Sequence, residues 1–327
     1  SPKLSGLGFA LLSALAFGGS GPFAKPLMEA GMAPLHVTWL RLLGMALLLC
    51  PVAWRYRALL RTHWRLLVAY GVFPIAGVQA FYFGAVARIP VSIALLIEFL
   101  GPVLVLLWIS GVKRQPVAKS AILGIALAIV GLAGLLEVWQ GLVLDPLGLF
   151  LAAGAAFGQA AFFLLSDAAN DEIEPLPLIA IGGVIGFIAL TLIAQPWNLP
   201  WHLLAGDIVI AGAPVPAMVS VLWLGLIATA LAYLTGVAAI RRLSPPVASG
   251  VAYLEVVTAI VLAWLLLNET LSNVQIIGAV IVVIGAYLAQ RATPAVTTNP
   301  EVAIARPINP NAEPLDDTST HGPQGHS

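Results

Sequence analysis

The chain has 327 residues, of which 60% are hydrophobic and only 9% are charged. Soluble domains carry about 45 to 50% apolar and about 25% charged residues, so this composition excludes an ordinary soluble enzyme. The 15 basic residues balance the 15 acidic ones, so the chain has no net positive charge that would attract a nucleic acid.

Ten mostly apolar runs follow one another along the chain. A hydrocarbon core about 30 Å thick needs about 20 such residues of helix at about 1.5 Å each. The runs cover residues 7–26, 35–54, 66–87, 91–110, 118–139, 146–166, 176–195, 217–240, 245–267 and 274–290. Stretches such as 122–136 lack the apolar and polar alternation of a transmembrane barrel strand. The sequence therefore predicts an all-α polytopic membrane protein with ten transmembrane helices.

Lys and Arg fall mainly on one side of these runs. If the N-terminus is cytoplasmic, all but three of the 15 lie in cytoplasmic segments, where positive loops are retained. The exceptions are Lys25, Arg88 and Arg41, the last within the second run. We expect both termini in the cytoplasm, with residues 292–327, which are too polar to form a core, as a disordered tail.

The two halves of the apolar region resemble each other. The matched residues, first half before second, are Phe17 and Phe157, Ser92 and Ser249, Glu98 and Glu255, Trp108 and Trp264, Gly124 and Gly278, and Gly131 and Gly285. Each half holds five helices, an odd number, so two successive copies must insert with opposite orientations. We expect one five-helix repeat over residues 1–143 and its inverted copy over 144–291. This symmetry suits alternating access.

Three ionisable residues lie clearly inside the apolar runs: Arg41, Glu98 and Glu255. A charge at the bilayer centre costs at least about 2.5 to 3.5 kcal/mol, so such residues face the bundle interior or a water-filled cavity. Each glutamate either binds a substrate ammonium or a proton, or braces a broken helix such as the one expected at Gly101-Pro102. Arg41 either faces a substrate or extends to the membrane interface.

Other polar side chains on these apolar helices are candidates for substrate or proton binding, with helix-to-helix hydrogen bonding as the alternative. They are Gln79, Tyr82, Ser92, Gln159, Ser249 and Tyr253.

Enzymatic and structural roles are weaker hypotheses. Residues 18–21 fit the G-x-S-G string of an intramembrane serine protease, but no histidine lies inside any run to serve as a base. The metalloprotease H-E-x-x-H and P-loop signatures are absent, and Cys50 is a lone cysteine. We therefore expect no enzyme, metal or cofactor. A non-transporting scaffold protein remains an alternative. However, a scaffold would have no use for buried carboxylates at symmetry-related positions.

Two groups of residues resemble the EamA branch of the drug/metabolite transporter superfamily, over about residues 4–290. In the first half, Glu98-Phe99-Leu100-Gly101-Pro102 is similar to the E-F-x-G-P segment of threonine and homoserine exporters. In the second half, the similar elements are Arg242-Leu243-Ser244-Pro245, Glu255 and Asn268-Glu269-Thr270-Leu271.

The resemblance implies a multi-pass exporter of small metabolites in the inner (plasma) membrane, with amino acids as the leading class. Its partners would be a small-molecule substrate, the lipid bilayer and, if coupled, protons. Efflux of drug-like or nucleotide-related metabolites is the alternative. The cavity would be formed mainly by helices one to four and six to nine.

Overall fold

The computed structural model describes residues 2–112, 118–140, 144–169, 173–232, 235 and 253–292, and they are mostly helical. The α-helices are α1 (Pro2–Gly18), α2 (Ser20–Glu29), α3 (Pro34–Arg55), α4 (Leu59–Thr62), α5 (Trp64–Tyr70), α6 (Val78–Val86), α7 (Val91–Glu98), α8 (Gly101–Leu107), α9 (Lys119–Leu135), α10 (Pro146–Ala169), α11 (Pro175–Ala194), α12 (Ala217–Leu222), α13 (Leu254–Leu267) and α14 (Asn273–Ala292). Residues 293–327 of the expected tail lie outside the described residues.

Within the described residues, six helical segments are long and apolar enough to cross a membrane. They are Ser5–Glu29, Pro34–Arg55, Trp64–Val86, Val91–Val112, Pro146–Leu165 and Leu176–Ala194. Shorter apolar helices cover Lys119–Leu135, Ala217–Thr229, Leu254–Leu267 and Asn273–Ala289. Large apolar side chains such as Leu47, Phe150 and Leu192 are 70%, 67% and 71% exposed. A surface of this kind suits lipid, as expected for a polytopic membrane protein.

Several of the long segments are interrupted near their middle. Gly19 separates α1 from α2, and Phe99 and Leu100 separate α7 from α8. A π-helical turn at Gly71–Gly77 contains Pro74, which has no N–H to donate within the helix. A second π-helical turn spans Trp223–Leu231. Such turns often occur at functional sites, because they redirect side chains and free backbone groups.

The main helix contacts join the first half of the chain to the second. Helix α9 packs along α14, α3 along α11, α6 along α10, and α1 along α13. Between α3 and α11, the Trp39 indole N–H donates to the Thr191 hydroxyl at 2.8 Å. The two halves therefore interlock and do not form separate bundles.

Glycines allow α9 and α14 to pack closely. A Cβ on Gly131 would lie 2.6 Å from the backbone nitrogen of Val282, and one on Gly285 would lie 2.5 Å from that of Ala128. Lipid provides little hydrophobic drive for helices to associate, so close backbone contact supplies the packing energy.

A short hairpin connects α11 to α12. Strands β1 (Asp207–Ile210) and β2 (Ala213–Pro216) pair antiparallel, with Ile208 opposite Val215. The turn uses positive φ at Ala211 (52°) and Gly212 (77°), the conformation that tight hairpins need. The Ala211 N–H donates to the Leu266 carbonyl at 2.9 Å, so the hairpin covers the end of α13.

Candidate substrate site

A cavity lies where the helix interruptions meet, and we call it the central cavity. Its polar or charged lining residues are Ser20, Arg41, Gln79, Tyr82, Glu98, Gln159, Thr229 and Glu255. Its apolar wall is formed by Phe17, Leu42, Met45, Pro74, Ile75, Val78, Leu95, Phe99 and Phe162. A concave space in which polar groups converge between apolar side chains is a usual form of a small-molecule site.

Glu98 is the last residue of α7, and the chain leaves the helix before α8 begins at Gly101. Pro102 in the first turn of α8 explains the interruption, because proline cannot donate a backbone hydrogen bond. The side chain is 8% exposed and lines the central cavity. No described residue donates a hydrogen bond to its carboxylate. The bracing hypothesis, in which nearby backbone or hydroxyl groups hold Glu98, thus finds no support within the described chain.

Arg41 lies on α3 and is 6% exposed. Its guanidinium stands 5.7 Å from the centre of the Phe83 ring, and Nη2 donates to the Ala228 carbonyl at 3.5 Å. It also acts electrostatically on Glu98. Arg41 is thus enclosed by helices and lines the central cavity, a position that favours the substrate-facing alternative over extension to the membrane interface.

Glu255 lies in the first turn of α13 and lines the central cavity opposite the first half of the chain. Its backbone carbonyl is so close to Gly18 that a Cβ there would lie 2.8 Å from it. The α1 backbone thus packs directly on α13 beside the α1–α2 interruption. The structure brings both repeat-related glutamates into one cavity.

Gln79, Tyr82 and Gln159 complete the predicted residues that line the central cavity. The Gln79 amide oxygen is buried and has no hydrogen-bond partner in the described structure, so it can accept a bond from a ligand. Gln159 packs on Gly101, where a Cβ would lie 2.7 Å from Gln159 Cγ. Absence of that Cβ lets the glutamine of α10 approach the interruption after Glu98.

Two further candidates, Ser92 and Tyr253, do not line the central cavity. The Ser92 hydroxyl donates to Glu269 Oε2 at 3.4 Å, at the end of the bundle. The Tyr253 ring packs against Phe99 and Tyr287, with ring centres 5.7 and 6.0 Å away. Ser249 lies outside the described residues.

Sequence analysis missed Ser20 and Thr229 as lining residues. Ser20 begins α2 directly after Gly19, so the glycine pair at 18–19 was the available signal. Thr229 lies in the π-helical turn, and its hydroxyl donates to the Leu224 carbonyl at 2.9 Å. Nothing in the sequence marks that turn. Across the described part of the chain, no group of three His, Cys, Asp or Glu side chains could hold a metal ion.

The central cavity thus presents one fixed cation and two carboxylates against an apolar wall. This arrangement can pair with both charges of a small zwitterion, because guanidinium binds carboxylate and carboxylate binds ammonium. Such groups in a polytopic membrane bundle define a protein of the membrane-transport class.

Comparison with known proteins identifies the family. The model of the EamA-like transporter family matches residues 4–136 and again residues 146–291. The chain belongs to this family, whose members are transporters and not enzymes.

Relatives of known name are exporters or related proteins. The threonine/homoserine exporter RhtA of Escherichia coli is 30% identical over 269 residues, which cover 80% of this chain and 84% of that protein. The exporter of the same name from Salmonella typhimurium is 29% identical over 261 residues, with 78% and 80% covered. Protein PecM of Dickeya dadantii is 26% identical over 272 residues, with 80% and 82% covered.

A solved crystal structure has the same fold. It aligns with a TM-score of 0.52 at 21% sequence identity, and the alignment covers 89% of this chain and 96% of that one.

Proposed function

We propose that this protein exports small zwitterionic metabolites, amino acids first, across the inner membrane by alternating access. The observation that carries the proposal is the convergence of Arg41, Glu98 and Glu255 on the central cavity. Ionisable residues inside a membrane bundle are costly to bury and mark substrate or ion pathways, and a zwitterion would bring an ammonium to the carboxylates and a carboxylate to the guanidinium. The name of the RhtA relatives, which refers to threonine and homoserine, supports the same substrate class.

The proposed mechanism rests on two inverted five-helix repeats, residues 1–143 and 144–291, that together form ten spans. The pattern of helix contacts supports this symmetry. The contact of α3 with the π-helical turn at Trp223–Leu231 is matched by that of α11 with the turn at Gly71–Gly77. The contact of α1 with α13 is matched by those of α10 with α7 and α8. Two halves that can exchange conformations give two states of similar free energy.

The proposed orientation places both termini in the cytoplasm, with residues 292–327 as a cytoplasmic tail. The distribution of Lys and Arg supports it. Glu98 and Glu255 are the proposed sites for the substrate ammonium or a coupled proton, and Arg41 is the proposed site for the substrate carboxylate. Gln79, Tyr82 and Gln159 are proposed to bind polar groups of the substrate.

The test is flux into proteoliposomes that contain the purified protein. Labelled threonine, homoserine and tryptophan are offered with and without an imposed proton gradient, beside liposomes that contain the Glu98→Gln variant. We expect saturable flux of at least one amino acid that the variant lacks. A response to the gradient would establish proton coupling. Absence of flux for every zwitterion, with flux of a nucleoside or a drug-like cation, would overturn the amino-acid proposal.

A further inference from the structure

Lys25 and Glu269 form a second charged cluster, apart from the central cavity. Lys25 Nζ lies 2.7 Å from Glu269 Oε1, and the two side chains are only 18% and 11% exposed. The same carboxylate accepts the Val91 N–H at 3.1 Å and the Ser92 hydroxyl at 3.4 Å. Three segments of the chain thus meet on one carboxylate: the end of α2, the start of α7 and the residues after α13.

Local structure explains why Glu269 binds there. Helix α13 ends at Leu267, and Asn268 adopts positive φ (55°), which turns the chain back towards α7. The first N–H groups of a helix have no partner within the helix, and a carboxylate stabilises them. Pro90 precedes the first residue of α7 and provides no side-chain cap. The carboxylate of Glu269, which belongs to the other half of the chain, caps the helix instead.

The cluster lies on the same short helix as a residue that lines the central cavity. Lys25 lies five residues after Ser20 on α2, about 7.5 Å along a helix. Between them, Gly21 packs so closely against Val91 and the Tyr82 hydroxyl that a Cβ there would clash with both. Tyr82, in the cavity wall, also lies within electrostatic reach of Glu269.

Helix α2 has the features of a movable element. It is a ten-residue half-helix separated from α1 at Gly19, next to the central cavity. On its other side Phe23 stacks on Trp223, with ring centres 4.3 Å apart and planes at 15°. Strand β1 also contacts it. A gate at this cluster would require α2 to move about Gly19, because hinge motions are absorbed at helix ends and interruptions.

The matched positions of the repeat do not contain a second copy of this acid and base. Counting from the matched Trp108 and Trp264, the first-half position equivalent to Glu269 is Lys113. Counting from the matched Phe17 and Phe157, the second-half position equivalent to Lys25 is Leu165. At these repeat-related positions, the sequence therefore supplies an acid and a base in one pair only.

We propose that Lys25, Val91, Ser92 and Glu269 form a one-sided gate that holds the outer end of the central cavity closed and biases the transport cycle towards the inward-open state. This inference rests on the alternating-access mechanism proposed above. A bias of this kind favours loading of substrate from the cytoplasm, as an exporter needs.

The experiment measures access to the central cavity without any substrate. In a Cys50→Ser background, Gln79→Cys serves as the reporter, and a membrane-impermeant maleimide is added to whole cells or to inverted membrane vesicles. We expect Lys25→Met and Glu269→Gln to speed labelling from the outer face by about tenfold, or about 1.4 kcal/mol in the closed-to-open equilibrium. Labelling from the inner face should slow.

Two controls separate the gate from general loss of charge. Lys25→Arg keeps the ion pair and should label like the parent. Arg88→Met removes the exposed pair in which Arg88 Nη1 lies 2.9 Å from Asp145, and should also label like the parent. Equal acceleration by Arg88→Met would overturn the gate, as would unchanged rates in both gate variants.

The remaining outcomes are also decisive. Glu269→Gln keeps the shape and an acceptor for the Val91 N–H, so it carries the test if Lys25→Met does not insert. Failure of both to insert would make the pair a folding brace and overturn the gate. Flux is measured separately in protein that keeps Gln79. Faster outer labelling of the gate variants, with no amino-acid flux in the parent that keeps Gln79, would overturn the substrate proposal alone. Amino-acid flux in that parent, with unchanged labelling of the gate variants, would overturn the gate alone.

Discussion

Arg41 and Glu98 line the same cavity from α3 and α7, and the guanidinium acts electrostatically on the carboxylate. Both are buried, and electrostatic interactions between buried groups are less screened than in water. A zwitterion can present its ammonium to the carboxylate and its carboxylate to the guanidinium, whereas a simple cation or anion can pair with only one of the two. This difference is the basis for proposing a zwitterionic substrate.

Replacement of Glu98 by Gln should reduce amino-acid flux at least about tenfold. The substitution keeps the shape and removes the charge, and a hydrogen bond to a charged group is worth about 1.5 to 3 kcal/mol, where about 1.4 kcal/mol is tenfold. The measurement is initial flux in proteoliposomes at matched protein content. Glu174→Gln, at an exposed position before α11, is the control and should keep full flux.

A second outcome would separate function from folding. If Glu98 is a brace, Glu98→Gln should broaden the size-exclusion profile and lower the melting temperature in detergent. Unchanged flux in a well-folded variant would remove Glu98 from the substrate site.

Arg41 should not tolerate Lys. A guanidinium presents a planar pair of donors to a carboxylate, and lysine offers a compact point charge on a flexible stem. We expect Arg41→Lys to raise the half-saturating concentration of an amino acid about tenfold or more, as loss of one charged hydrogen bond would. The matched test compares the amino acid with its amide, which lacks the carboxylate. Equal loss for both substrates would show that Arg41 does not bind the carboxylate.

Much of the site could be predicted because charge is costly in a membrane. Arg41, Glu98 and Glu255 are ionisable residues within apolar runs, and the structure places all three at the central cavity. Because such side chains are excluded from lipid, they must face the interior of the bundle or a water-filled cavity. The prediction that Gln79 and Gln159 line the cavity has weaker grounds, because a buried amide on a membrane helix can also hydrogen-bond to a neighbouring helix.

The rest of the site depends on geometry that periodicity does not encode. Ser92 lies on an apolar helix like the lining residues, yet it contacts Glu269 because it begins α7 at the end of the bundle. Thr229 reaches the cavity through a π-helical turn, which shifts the face that a residue presents. The repeat linked Ser92 with Ser249 but could not reveal that Glu269 was the partner of Ser92.

The stability of the folded protein should depend on the negative charge of Asp145 at neutral pH and should lose that contribution in acid. Its side chain accepts a hydrogen bond from Arg88 at 2.9 Å and caps α10 by accepting the Leu147 N–H at 2.9 Å. The hydrogen bond from Arg88, and then the one from Leu147, hold the pKa of this carboxyl below its usual range. A lowered folded-state pKa stabilises the protein above the unfolded value of about 3.9, and the benefit is lost as pH falls through the folded value.

Asp145→Asn isolates this contribution, because Asn still accepts a bond from Leu147. The variant should melt at a slightly lower temperature than the parent at pH 7, and the difference should begin to shrink as pH drops below about 3.9 and vanish below the folded-state pKa. Melting temperatures in detergent across this range check the sign. A difference that stays constant with pH would show that the charge is not its source.

The contact between α9 and α14 should be sensitive to single methyl groups at defined positions. A Cβ on Gly131 would lie 2.6 Å from the Val282 backbone nitrogen, whereas one on Gly134, a turn later on the same helix, has its nearest neighbour at 3.4 Å, the Cα of Gly278. Backbone atoms cannot move aside as a flexible side chain can, so Gly131→Ala must separate the helices. Overpacking of this kind costs about 1 to 3 kcal/mol.

We expect Gly131→Ala to lower the melting temperature by several degrees, and Gly134→Ala, the matched control, to leave it almost unchanged. Since neither glycine lines the central cavity, the affinity of correctly folded protein for amino acids should be the same in both variants. Equal melting temperatures for the two variants would mean that α9 and α14 do not pack through Gly131.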